Sequence, residues 1–202
     1  MQPSKLRALL VTRPIDQHFC MAVGNVVIQW SYLDQTYNGF IERLLISNGT
    51  MLDFDWKSDS PRKRHKLMMK EAEKSFGRFP RIISELENIK AMLGEAIIDR
   101  NLLAHGEIAM MTPSQQKPYL HLRVRGRYRG IDYERDYPLR LIQDIYSSLM
   151  TIHGRVEVLT SDELAADIDP GWSEQELSAL RNFRARTDPS SSNPSTPDKQ
   201  RG

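Results

Sequence analysis

The sequence predicts a mainly α fold: a four- to five-helix bundle with an inserted β-hairpin. Two observations predict it. Apolar residues recur at three- and four-residue spacing over several long stretches, the pattern of helices that bury one face. Between two of these stretches, at 107–137, the period drops to two, as in strands. The chain has 202 residues, 40% of them hydrophobic, which is enough for one compact domain with appendages.

Residues 1–18 carry Pro3, Pro14 and only the short apolar stretch Leu9-Leu10-Val11, and are expected to form a loosely packed N-terminal arm. A helical pattern starts at Phe19 and runs through Val23, Val26, Val27, Trp30, Leu33, Tyr37, Phe40, Ile41, Leu44 and Leu45. Asn48-Gly49 is its expected stop. Ser60-Pro61 reads as the N-cap and first residue of a second helix over 61–76, which Gly77 and Pro80 end. A third helix follows Pro80, with Ile82, Ile83, Leu86, Ile89, Leu93 and Ile97 on its apolar side. It is expected to end near His105, with Gly106 as the C′ residue.

In 107–137, "YLHLRVR" puts Leu120, Leu122 and Val124 on one face and His121, Arg123 and Arg125 on the other. "IDYERDY" alternates in the same way, and Gly126 and Gly130 are expected to mark the turn region. Glu107 to Met111 is a candidate third strand. Pro138 opens a fourth helix through Leu139, Ile142, Ile145, Tyr146, Leu149, Ile152, Val156 and Leu159. The expected bundle therefore covers 19–159. A C-terminal helical extension, 160–186, contains a short helix started by the capping box "SEQE" at Ser173. Residues 187–202, "TDPSSSNPSTPDKQRG", hold no core-forming residue and are expected to be a disordered tail.

The net charge of +2 excludes a general polyanion binder, so any basic surface must be local. Nineteen Arg against nine Lys favours specific pairing with oxyanions or carboxylates. Cys20 is the single cysteine, which excludes an intrachain disulfide and a thiolate metal cluster. No secretory h-region is present at the N-terminus. The longest uncharged run, Gln17 to Leu33, is too short and polar to span a bilayer. A cytoplasmic protein without membrane association is expected.

The stretch with most chemistry is "RNLLAH", 100–105, in the last turns of the third helix. Asn101 and His105 are four apart and share a helical face. Arg100 lies about 140° around the helix from His105, yet its side chain is long enough to curl toward the same space. A guanidinium supplies a permanent fork for a phosphoryl oxyanion. An imidazole moves protons near neutral pH, and an amide positions a hydroxyl or the ring. The alternative reading pairs Arg100 with Asp99 or a neighbouring helix and leaves His105 to cap the helix end.

"RNLLAH" resembles the motif of the HEPN family, in which an Arg, commonly followed by a polar residue such as Asn, precedes a His by four to six positions near the end of a core helix. The resemblance covers roughly 19–159; the hairpin departs from the family's minimal bundle. It implies a four- to five-helix bundle and a metal-independent endoribonuclease without cofactors. It also implies a homodimer in which two copies of the motif share one cleft. The implied catalytic residues are Arg100, Asn101 and His105. Attack by the RNA 2′-hydroxyl would give a 2′,3′-cyclic phosphate and a 5′-hydroxyl, with His105 as base or as acid and Arg100 on the pentacoordinate phosphate. Other members of the family are non-catalytic modules that bind nucleotides or protein partners, so that alternative stays open.

Two basic stretches are candidate RNA contacts. Arg62, Lys63 and Arg64, in "RKRHK", could meet the phosphate backbone or form a solvated helix face. Arg123, Arg125 and Arg127, with Tyr128 and Tyr133 near, could cradle a single strand. Asp132, Glu134 and Asp136 lie across the expected turn, however, and cross-strand ion pairs would consume much of that charge. Glu95 and Asp99 on the third helix lack a His or Cys at ligand spacing, so no metal site is expected. Met68, Met69, Met110 and Met111 read as core or interface filler, and Trp30 as core, with a dimer contact as the alternative.

Overall fold

The computed structural model describes residues 17–51, 55–111, 121–128, 130–161 and 171–187. It is mainly helical, with a small antiparallel sheet between the third and fourth helices. In chain order the helices are α1 (Gln17–Ser47), α2 (Pro61–Phe76), α3 (Pro80–His105), α4 (Leu139–Thr160) and α5 (Glu174–Thr187). The strands are β1 (Glu107–Met111), β2 (His121–Tyr128) and β3 (Ile131–Pro138), in the order β1-β2-β3. A single 3₁₀ turn, Trp56–Ser58, precedes α2. Gln17 and His18, assigned to the arm by sequence, belong to α1. The rest of the expected arm and the expected tail from 188 onward lie outside the described residues.

The helix ends follow the local chemistry that the sequence carries. α1 stops at Gly49, whose φ of 61° is the left-handed conformation that costs glycine nothing. Thr50 N–H donates to Leu45 C=O at 2.9 Å and Gly49 N–H to Ile46 C=O at 3.0 Å, a Schellman closure. At the start of α5, Glu176 Oε2 accepts from Ser173 N–H and Ser173 Oγ, both at 2.8 Å, so the capping box forms. At the end of α4, the Arg184 guanidinium donates to the carbonyls of Val158 and Leu159, and Arg43 Nη1 donates to Thr160 C=O at 3.0 Å. Two cations thus meet the carbonyl-rich end of that helix, where they are favoured.

By contact the chain divides into two compact units, Met1–Tyr37 with Ile89–Arg155, and Asn38–Asn88 with Val156–Gly202. In the second unit Phe40, Phe76 and Phe183 form an edge-to-face aromatic cluster, with centroids 6.0 Å and 5.1 Å from Phe183. α5, read by sequence as an extension, therefore carries a core side chain. In the first unit Val26, Leu33, Leu93, Leu103, Leu149 and Ile152 are buried, together with Leu122 and Val124 of β2 and Tyr137 of β3. These strand residues make the sheet's apolar face.

The sheet register pairs Glu107 with Arg125, and Arg125 with Glu134. Tyr128 faces Ile131 across the turn, where Gly130 has a φ of 78°. Gly126 is not part of that turn. It sits inside β2, and a Cβ there would lie 2.9 Å from Leu102 Cδ2. Gly106 has a similar cause. It is not in the left-handed region; a Cβ there would lie 2.4 Å from Val124 Cγ1, 2.5 Å from Leu102 C=O and 2.9 Å from Arg125 C=O. Both glycines allow the end of α3 to lie directly on β2, and this contact fixes where His105 emerges.

Candidate functional site

The last two turns of α3 bring Arg100, Asn101 and His105 together. Arg100 Nη1 donates to Asn101 Oδ1 at 2.9 Å and to His105 Nε2 at 3.3 Å. A guanidinium can only donate, so Nε2 is the acceptor in this contact. Arg100 and Asn101 are half-buried, and His105 is exposed. The 140° offset expected from the spacing is bridged by the arginine's length.

Two residues of α1 hold the arginine from the other side. The Arg100 guanidinium carbon lies 5.5 Å from the Trp30 ring centroid, within cation–π range. Asp34, one turn further along α1, acts on it electrostatically. Burial pulls the Arg100 pKa below its ordinary value, and the Asp34 charge opposes that shift without cancelling it. The buried Nε of Arg100 has no acceptor among the described residues. Trp30 is core, at 8% exposure, and is also the platform for the site's cation. The sequence signal for this pairing was weak: Trp30 and Asp34 are an i, i+4 pair on an otherwise uncharged run, and only packing places them opposite Arg100.

Of the alternative reading, the pairing of Arg100 with Asp99 is not what forms, whereas the pairing with a neighbouring helix is, through Trp30 and Asp34 of α1. Asp99 Oδ1 accepts from the Tyr137 hydroxyl at 2.7 Å and from Arg135 Nη1. Burial and the Asp99 carboxylate push the Tyr137 pKa well above its usual value, so the phenol stays a donor. This knot ties α3 to β3 and leaves Arg100 for the helix end.

A cavity of about 480 Å³ opens beside His105, lined also by Glu107, Arg125, Gly126, Arg127, Asp132, Tyr133 and Glu134. The charges on the sheet form a cross-strand ladder, as the alternation predicted. Arg123 Nε donates to Asp136 at 2.7 Å, Arg125 Nε to Glu134 at 3.0 Å, and Arg127 Nε to Asp132 at 2.9 Å. Its bond to Asp136 raises the Arg123 pKa. All three candidate RNA contacts of the hairpin are thus engaged in ion pairs.

The other basic run is split by helical phase. Arg64 is turned inward at 8% exposure, and its Nη1 donates to Asn38 Oδ1 at 2.6 Å. Lys63 pairs with Asp59 at 2.9 Å, while Arg62 is exposed. Lys66 and Lys70, also exposed, continue from Arg62 at four-residue intervals. The i, i+4 spacing, not the unbroken run, defines the open cationic line on α2.

Among the described residues no helix is long and apolar enough to cross a membrane. Comparison with models of known protein families, with curated proteins and with solved structures returns no match.

Proposed function

We propose that this chain is a HEPN-like, metal-independent endoribonuclease. The observation that carries the reading is the double donation of Arg100 Nη1 to Asn101 and His105 at an exposed helix end. A fork held on Trp30 at this helix end could turn its Nη donors to a phosphate. His105 then lies at the same phosphate to transfer a proton, and Asn101 positions the arginine. Attack of the 2′-oxygen on phosphorus needs no added nucleophile, since the substrate carries it. Arg62, with Lys66 and Lys70, would supply sequence-independent backbone charge.

A homodimer fits the same reading. Met21, Ile28 and Tyr32 lie on one side of α1, each more than half exposed, and such a face suits a second copy of the chain.

The test is incubation with labelled RNA in the presence of EDTA, with analysis of the new 3′ ends. Cyclic phosphate is expected. His105→Ala should lower the rate about 10²–10⁴-fold while helicity and melting temperature hold. Arg100→Lys keeps the charge but loses the fork, and should also be impaired.

The neutralised arginine ladder of the hairpin favours a second reading, in which the site binds a nucleotide without cleaving it. That reading expects nucleotide binding sensitive to Arg100→Ala, and intact RNA throughout.

A further inference from the structure

The proposed cleavage needs two proton transfers: one away from the 2′-hydroxyl, one onto the departing 5′-oxygen. His105 performs one of them. Nothing so far performs the other.

Glu107 is separated from His105 only by Gly106, and the two line the same cavity. Gly106 is clamped between Val124 and the backbone of Leu102 and Arg125, so the helix end and the first strand residue cannot swing apart freely. The other two carboxylates of that cavity are committed, Glu134 to Arg125 and Asp132 to Arg127. Arg125 stands opposite Glu107 in the sheet register, yet its Nε and Nη2 both go to Glu134. Glu107 is exposed and makes no hydrogen bond or ion pair with a described residue. Of these carboxylates it is the one without an ion-pair partner among the described residues.

We propose that Glu107 is the second catalytic residue, the general base that completes an acid–base pair with His105 inside one protomer. This rests on the nuclease reading of the site. In the step, the Glu107 carboxylate takes the 2′-hydroxyl proton as the 2′-oxygen bonds to phosphorus. The phosphorus–5′-oxygen bond breaks, and the His105 imidazolium gives its proton to that oxygen. The products are the 2′,3′-cyclic phosphate, a 5′-hydroxyl, neutral His105 and protonated Glu107, and solvent resets both groups. The Arg100 fork, which occupies Nε2 at 3.3 Å, must turn to the phosphate before that nitrogen can face the 5′-oxygen. The charges that face the pair are Arg100 from α3, Arg125 and Arg127 from β2, and Asp132 and Glu134 from β3. The last four are tied in opposite-sign pairs.

The test compares two substrates: an RNA dinucleotide, and a ribonucleoside 3′-(p-nitrophenyl phosphate) whose leaving group departs without a proton. The wild-type chain should cleave both, with a bell-shaped pH profile on RNA. Glu107→Gln should lose about 10²-fold or more on both substrates, and the acidic limb of its profile should vanish. His105→Ala should fail on RNA but approach the wild-type rate on the activated ester. Glu107→Asp, which keeps the carboxylate but shortens its reach, should fall between, and thermal melts of each variant report folding.

Glu107→Gln cleaving either substrate at the wild-type rate overturns the assignment and leaves the nuclease reading intact. So does His105→Ala remaining inactive on the activated ester while Glu107→Gln regains activity on it, which would reverse the roles. A wild-type chain that cleaves neither substrate removes both readings together.

Discussion

Two polar clusters close helix ends in this chain, and they are built to opposite specifications. At the end of α1, Glu71 is fully buried and saturated. It accepts from Asn48 Nδ2 at 3.0 Å, Thr50 Oγ1 at 2.9 Å and Lys74 Nζ at 2.7 and 2.8 Å. Ser75 Oγ in turn donates to Asn48 Oδ1 at 2.9 Å. At the end of α3, Arg100 reaches Asn101 and His105 with one nitrogen, has a buried Nε with no acceptor among the described residues, and ends beside an exposed imidazole. A saturated cluster is architecture, since every donor is spent on holding the fold. An unsaturated one costs stability, and that cost makes sense where a ligand completes it.

The largest effect on stability should come from breaking the saturated cluster. Burial alone would raise the Glu71 pKa, but the bonds from Lys74, Thr50 and Asn48 outweigh it and the net shift is downward. A carboxylate whose folded pKa is depressed contributes stability above its unfolded pKa and loses it as pH falls through the folded value. Glu71→Ala takes the carboxylate from three donors, although Asn48 Nδ2 keeps the Glu71 carbonyl and Lys74 Nζ keeps Thr50 Oγ1, and should cost about 3 kcal/mol near neutral pH. Its melting temperature should also depend less on pH at the acidic end than that of the wild type. RNA cleavage should be unchanged. A stable Glu71→Ala chain that had lost cleavage would erase the contrast between the clusters.

The two clusters also differ in how much of each could be read from the sequence. The stop of α1 was legible because Asn48-Gly49 carries its cause locally: only a residue tolerant of positive φ ends a helix that way. The "SEQE" box and the alternating charges of β2 and β3 were legible for the same reason. Each is a short-range rule acting within a few residues or across one turn. Gly106 lies where the sequence puts it, but Gly126 lies inside β2 and not at the turn, and the cause of both is a close approach between segments distant in sequence, which no local rule carries. Arg64 and Lys63 were grouped with Arg62 by adjacency, whereas helical phase separates them. The Arg100–His105 meeting was visible in the spacing. Trp30 and Asp34 behind it were not, because no pattern in 17–47 names its partner in 80–105. Glu107 was passed over for a related reason: a single carboxylate at a strand start says nothing until its neighbours prove to be ion-paired.

A smaller perturbation sharpens the contrast from the α3 side. Gly106→Ala places a methyl 2.4 Å from the stiff Val124 side chain and 2.5 Å from a backbone carbonyl, so α3 and β2 must separate. Overpacking of this kind costs about 1–3 kcal/mol. The effect on cleavage should exceed what stability explains, because Gly106 joins His105 to Glu107. Below the melting transition, the variant should be folded by circular dichroism yet reduced in rate by about tenfold or more. Full activity there would mean that this contact does not position the site.

The smallest expected effect tests a third helix end that lies between the two extremes. Glu176 is buried and accepts from both the backbone and the hydroxyl of Ser173, and Arg81 is an electrostatic neighbour. Burial would raise its pKa, but the two bonds from Ser173 and the Arg81 charge hold it down. Ser173→Ala removes the hydroxyl's bond to the carboxylate and the longer bond it accepts from Glu176 N–H at 3.4 Å, but leaves the backbone bond from Ser173 N–H, so the carboxylate is weakened but not stranded. The cost should be about 1 kcal/mol, a drop in melting temperature of about 2–4 °C for a domain of this size. If saturation is what separates the α1 end from the α3 end, this partial loss must be smaller than that of Glu71→Ala. It must also leave cleavage untouched, since the described residues that line the cavity beside His105 come from the end of α3 and from the sheet. A loss equal to that of Glu71→Ala would show that burial of the carboxylate, not the number of its donors, sets the stability of these helix ends.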